Sequence, residues 1–196
     1  MAWQYTPFAL LYLGVAGVVA GLCVWVYRNR TTTATRPLTG VLAATSFWTL
    51  CAGGELARTD LLGQRVFGNA TYLAIATLPV LFLYFAEAYS GHETPLTQFG
   101  PGPLLVVPAI TQLLIWTNPV HHLMWRSSEL FEAGSVVAPA GFAGRWSLVH
   151  TGYSYALLVV GTYLLVRMLV VSENVYRGQA LAVLVGTFTP WITNVL

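Results

Sequence analysis

Pro7-Phe-Ala-Leu-Leu-Tyr-Leu-Gly-Val-Ala-Gly-Val-Val-Ala-Gly-Leu-Cys-Val-Trp-Val-Tyr27 runs without an Asp, Glu, Lys, Arg or His. A hydrocarbon core about 30 Å thick takes roughly 20 helical residues to cross, and this stretch is long enough. Its leader, Met1 to Thr6, has no basic residue, and the run is too long for the apolar part of a signal peptide, so it reads as a helix that stays in the membrane. Outward from it, the same reading applies to Leu38–Ala57, Ala70–Tyr89, Pro103–Thr117, Thr151–Val171 and Gln179–Leu196. In lipid every backbone polar group must be satisfied within the protein, which leaves helices or closed barrels. The runs are too long and too uniformly apolar for barrel strands, whose polarity alternates. The prediction is an all-α membrane protein, a polytopic bundle of six transmembrane helices forming a single domain over residues 1–196.

Composition agrees. Hydrophobic residues make up 56% and charged residues 8%, with a mean hydropathy of +0.66. A soluble domain carries about 25% charged residues to keep its surface in water. With a third of that share, most of this exterior must face membrane lipids. The net charge of +2 gives no reason to expect nucleic acid as a partner. All nine basic residues are Arg, so no lysine amine is present to form a Schiff base with retinal. Cys23 and Cys51 lie in apolar segments at different depths, and read as small buried hydrophobes rather than a redox pair.

The arginines set the expected orientation. Arg28, Arg30 and Arg36 crowd the first connection with no acid beside them, which places that loop in the cytoplasm and the N-terminus outside. Arg167 and Arg177 then fall inside, and Arg58, Arg65, Arg126 and Arg145 outside. The other connections are short, except the extracellular loop 118–150, long enough to carry structure or function of its own. Within it Glu129–Ala133 and Val136–Ala138 flank Gly134-Ser135, and Phe142–Val149 follows another Gly-rich stretch; a short β-hairpin is expected there. The last segment runs apolar to its final residue without a flanking charge, as expected of a piece of a longer polypeptide.

Ionisable groups at membrane depth are costly and so mark candidates. Glu55 near the outer end of the second helix, His121 and His122 after the fourth, and His150 at the start of the fifth fall at one side, with Trp125 and Trp146 nearby. One reading is an outward sensing site whose charge responds to pH or a ligand, because imidazole titrates near neutrality. Zinc also suits imidazole and carboxylate, but adjacent His121 and His122 point apart on a helix. The plainer account has these imidazoles capping helix ends. Glu87 and Arg167 fall near the cytoplasmic ends of their helices, where they either pair across the bundle and relay movement or snorkel to the headgroups.

Thr111, Gln112 and Asn194 are polar in apolar runs, and read as interhelical hydrogen bonds or as the lining of a small cavity. Pro79, Pro108 and Pro190 are candidates for kinks. Gly17-x-x-x-Gly21 serves either packing within the bundle or a homodimer. Asn69-Ala-Thr71 and Asn29-Arg-Thr31 both match the glycosylation acceptor, one on each side of the membrane, so the match carries little weight. Aromatics at the segment ends, such as Trp116 and Tyr27, form an interfacial belt. No phosphate-cradling glycine loop, His-Glu-x-x-His, Cys-x-x-Cys or nucleophile elbow is present, so no catalytic residue, metal or cofactor is assigned.

Several ordered pieces carry a resemblance. They are Phe47-Trp48-Thr-Leu-x-x-x-x-Glu55, Phe85-x-x-x-Tyr89-Ser-Gly91 and Thr117-Asn118-Pro119-Val-His121-His122-Leu-Met-Trp125. His150-Thr-Gly-Tyr153-Ser-Tyr155, Leu-Leu-Val-Arg167, Tyr176-Arg-Gly-Gln179 and Pro190-Trp-x-x-Asn194 follow. In this order the chain resembles the N-terminal seven-transmembrane sensor region of archaeal and bacterial sensor histidine kinases. The resemblance implies a seventh helix, then a cytoplasmic region with a phosphoacceptor histidine and an ATP-binding kinase domain, none of them in this chain. It implies a sensory input module; set beside the polar groups at the outer face, it leaves Glu55, Asn118, His121, His122, Trp125 and His150 as candidate sensing residues, and the helix-end groups Glu87 and Arg167 as candidate relays. A small transporter or channel subunit is the alternative. Against it, the charges gather near helix ends and no repeat relates the halves. An assembly subunit is a third reading.

Overall fold

Thr6 starts the first helix: its hydroxyl accepts the Ala9 N–H at 3.0 Å, and Pro7 follows where a missing N–H costs nothing. The computed structural model describes residues 3–92, 94–126, 129–133, 136–140 and 142–171. The helices are α1 (Pro7–Asn29), α2 (Thr35–Leu56), α3 (Leu61–Ser90), α4 (Gly102–Trp116), the short α5 (Asn118–His121) and α6 (Arg145–Val171). Strands β1 (Glu129–Ala133) and β2 (Val136–Ala140) pair antiparallel, Glu129 opposite Ala140 and Ala133 opposite Val136. The fold is therefore a helical membrane bundle with a hairpin between its fourth and fifth long helices. The expected segment Gln179–Leu196 lies outside the described residues, as do Tyr176, Arg177, Pro190 and Asn194.

Among the described residues α1, α3 and α6 are long and apolar enough to cross a membrane. The fifteen-residue α4 is apolar but shorter. α2 is more polar, and its hydroxyls are internally bonded: Thr39 donates to Thr35 O, Thr45 to Val41 O and Thr49 to Thr45 O, while Ser46 reaches across to Ala16 O of α1 at 2.9 Å. In lipid such bonds let a hydroxyl-rich helix pass without orphaned donors.

Two helices begin earlier than the hydropathy predicts. α3 starts at Leu61 rather than Ala70, because Asp60 caps it, its carboxylate accepting the Gly63 N–H at 2.8 Å. The polar Gln64 in its first turn is buried, with its amide bound to Arg58 O at 2.7 Å, so polarity there marks packing and not a loop. α6 starts at Arg145 rather than Thr151, absorbing most of the stretch Phe142–Val149. At its other end α3 stops at Gly91, whose φ of 69° suits a left-handed cap.

α3 is the central element, packed against α2, α4 and α6, while α1 packs against α2. Val80, Leu83, Phe85 and Ala86 of α3 meet Leu104 of α4 and Leu157, Leu164 and Leu165 of α6 in the buried core. Small residues at Ala74, Ala76 and Ala86 let the neighbouring backbones approach. Gly17 and Gly21 of α1, in contrast, are exposed and meet nothing, so among the described residues this face is not used for packing. The up-and-down course puts Glu55, the start of α3, the end of α4, the hairpin and the start of α6 at one end of the bundle, called here the hairpin end.

Candidate functional site

The hairpin end is built on a close approach of α2 and α3. A Cβ at Gly54 would lie 2.5 Å from the Phe67 ring, and one at Gly68 would lie 2.9 Å from Glu55 Oε1. Glycine at 54 leaves room for the Phe67 ring, and glycine at 68 lets the Glu55 side chain lie against the α3 backbone. Tyr72, one turn further along α3, and Cys51, one turn back on α2, lie within electrostatic reach of that carboxylate. Among the described residues no hydrogen bond or ion pair reaches the Glu55 carboxylate.

Tyr72 links Glu55 to the other helices. Its ring meets Trp125 edge-on, with centroids 6.1 Å apart, and leans on His150 at the same separation. His150, 5% exposed, turns Nδ1 toward the buried Thr111 hydroxyl of α4 at 3.5 Å. That hydroxyl donates to Val107 O at 2.8 Å and accepts the Trp146 indole N–H at 2.9 Å. Four helices thus converge through Glu55, Tyr72, Thr111, Trp146 and His150, with Trp125 contributed by the loop.

The long connection is fastened at its base. Asn118 Oδ1 accepts the N–H groups of Met124 and Trp125 at 2.9 and 3.1 Å, and its amide donates to Trp125 O at 3.0 Å. Gly144 N–H bonds to Met124 O, Trp146 N–H to Leu123 O and Arg126 N–H to Phe142 O, which ties the two legs of the hairpin together. β2 then passes over the ends of α2 and α3. On the other flank the N-terminal segment is strapped across the α2–α3 turn. Gln4 N–H donates to Ala57 O and its side-chain amide to Leu56 O, while the Arg58 guanidinium lies over the Trp3 ring at 4.7 Å. Arg58 also pairs with Asp60 at 2.6 Å, and the Gly63 N–H together with this cation holds the Asp60 carboxyl below the usual carboxylate range.

The structure thus separates the sequence candidates. Glu55, Trp125 and His150 come together. Asn118 shapes the turn. His121 is engaged within the loop: Nδ1 accepts the Leu123 N–H at 3.0 Å, which leaves Nε2–H to donate to Thr117 Oγ1 at 3.0 Å. His122 closes α5 in a left-handed conformation, φ 53°, and is exposed. These two histidines fit the helix-end account, and no group of three or more metal-ligating side chains occurs among the described residues. The suggested Glu87–Arg167 pair is not formed. Glu87 is buried and accepts the Thr94 N–H at 2.7 Å, fixing the α3–α4 connection, whereas Arg167 is exposed on α6. Gly68 was missed from sequence because the stretch before Ala70 read as loop, and Tyr72, inside the expected third helix, was missed because a tyrosine in an apolar run carries no charge to mark it. An N-cap aspartate at residue 60 was the available signal.

Comparison with curated proteins and with solved structures found no match. The family described as the N-terminal 7TM region of histidine kinase matches residues 10–196. On that match the chain belongs to the family of N-terminal 7TM regions of histidine kinases, and is the membrane sensory region of such a kinase rather than its catalytic domain.

Proposed function

We propose that the chain detects an extracellular or lipid-borne cue at the hairpin end and relays helix movement to a kinase domain in the cytoplasm. In this reading the protein is multi-pass, with the Arg28–Arg36 connection inside and the N-terminus and hairpin outside. The observation that carries it is the Glu55 carboxylate, held against Gly68 and beside Tyr72 without a hydrogen-bonding partner among the described residues. An unpaired carboxylate at a helix–helix contact is costly when charged. A proton, a cation or a donor group that relieves this cost differently in two packings of α2 on α3 shifts their populations. Tyr72, His150 and Thr111 connect that contact to α6 and α4, whose far ends lead toward the cytoplasm. Glu87 and Arg167 at that far end then act separately, Glu87 through the α3–α4 connection and Arg167 at the headgroups. Lipid covers the apolar exterior, and a second copy docking on the exposed Gly17–Gly21 face of α1 would make the homodimer.

The test is autophosphorylation of the full-length kinase in proteoliposomes while external pH and candidate ligands are varied. Glu55→Gln is expected to fix activity at one level and flatten the response. Wild-type response retained in Glu55→Gln and in His150→Gln would sink the proposal.

A further inference from the structure

The end of the bundle opposite the hairpin carries a different chemistry. Arg28 and Arg30 at the close of α1 and Arg36 at the start of α2 are exposed, and among the described residues no carboxylate pairs with any of them. A basic side chain near a helix C-terminus can turn inward to cap the last carbonyls. Here two of those carbonyls are already taken: the Asn29 amide donates to Trp25 O at 2.8 Å and the Arg30 N–H to Val26 O at 3.1 Å. The Arg30 guanidinium instead folds back over the Trp25 ring, 5.2 Å from its centroid. Trp25 and Tyr27 are 50% and 71% exposed, aromatic side chains of the kind that sit at headgroup level. Arg28 lies three residues beyond Trp25, on the same side of α1. The ring supplies no acceptor atom, so the guanidinium N–H donors of Arg30 stay open, in the fork that matches a phosphate bidentately.

We infer that Trp25, Arg28 and Arg30 form a headgroup site for a net-anionic phospholipid. The two guanidinium groups hold the lipid phosphate, and an acyl chain runs down Trp25, Leu22 and Val18, which are exposed along one side of α1. Depth favours this arrangement, because the stack draws the Arg30 charge back by more than a turn to the level of the Trp25 ring, where phosphates meet hydrocarbon. Net charge selects the lipid. A zwitterionic headgroup brings its own cation beside the phosphate, whereas arginines with no acid near them attract a headgroup that has none. The turn that follows is pinned, which separates the site from a loose basic tail. The Thr32 N–H donates to Thr35 Oγ1 at 3.0 Å, the two threonine hydroxyls bond at 3.0 Å, and the Thr33 hydroxyl donates to Ala88 O at 3.4 Å. Arg36 adds charge from α2, across that turn. The site depends neither on the signalling role nor on which face of the membrane this end occupies.

The test follows quenching of Trp25 in the full-length protein by phospholipids brominated on the acyl chain, phosphatidylglycerol against phosphatidylcholine, in proteoliposomes. The Trp25 signal is the part of the fluorescence absent in Trp25→Phe. Phosphatidylglycerol is expected to be preferred there by roughly fivefold or more, the attraction of a basic side chain for an anionic surface. Arg30→Lys retains the charge that orients α1 but loses the planar fork, and is expected to lower the preference by about twofold or more. Arg36→Lys is expected to leave it unchanged, and Arg28→Gln combined with Arg30→Gln to remove it. Equal quenching by the two lipids, or a preference that Arg30→Lys leaves intact, would overturn the inference. So would a preference erased by millimolar inorganic phosphate, which would make the ligand a soluble anion.

Discussion

Pro108 has no N–H to give the carbonyl one turn before it, and that carbonyl, Leu104 O, instead accepts the Tyr153 hydroxyl from α6 at 2.5 Å. One side chain thus repairs the proline break and ties α4 to α6. Tyr153→Phe keeps the ring and strands the carbonyl, a loss of about 1–3 kcal/mol. Thermal unfolding in detergent should show a clear drop in Tm, and an unchanged Tm would mean the carbonyl finds another donor. Asp60 gives a pH prediction. Its carboxyl is held low by the Gly63 N–H and then by Arg58, so the folded value lies beneath the unfolded one. Its stabilisation is complete above the unfolded value, about 3.9, and is lost as pH falls through the folded value. Asp60→Asn keeps a capping side chain but cannot titrate. The Tm advantage of wild type over Asp60→Asn should therefore be constant near neutrality and shrink in acid. An advantage that grows in acid would contradict the capping geometry.

At the level of elements, α2 and α3 touch most closely where Gly54 faces Phe67 and Gly68 faces Glu55. Gly54→Ala drives a methyl into an aromatic ring wedged between the helices and Trp3, whose centroid is 6.5 Å from that of Phe67. Overpacking of this kind costs about 1–3 kcal/mol and should splay the hairpin end, seen as faster hydrogen exchange in the α2–α3 turn. Gly161→Ala, against Phe82 on the far side of α3, should disturb the α3–α6 contact instead and leave that turn unchanged. The long apolar runs and the β1–β2 hairpin were legible because they follow from hydropathy and from strand runs flanking a turn-forming dipeptide. The true start of α3 was not, because Gln64 and Asn69 look like loop residues until tertiary partners bury one and the helix absorbs the other.

For the molecule as a whole, the exterior is the deciding feature. Leu11, Val18, Trp25, Val106, Val159 and Val170 are all at least half exposed, on α1, α4 and α6 alike. Apolar surface this extensive does not stay dispersed in water. The purified chain should be monodisperse in detergent or nanodiscs and aggregate on detergent removal; a monodisperse protein in plain buffer would overturn the membrane fold. Composition and run length alone determined that lipid is the solvent and that helices are the elements, since both follow from a scarcity of charge and the need to close backbone hydrogen bonds. They also drew Glu55, His150 and Trp125 to one end, because depth along a spanning helix is counted in residues. Which of those residues meet was decided only in three dimensions. Rotation of each helix about its axis is fixed by packing, by glycines at 54 and 68 and by the Tyr153 bond. That rotation brought Tyr72 and Thr111 into the cluster, turned His121 into its own loop, and left Glu87 and Arg167 apart.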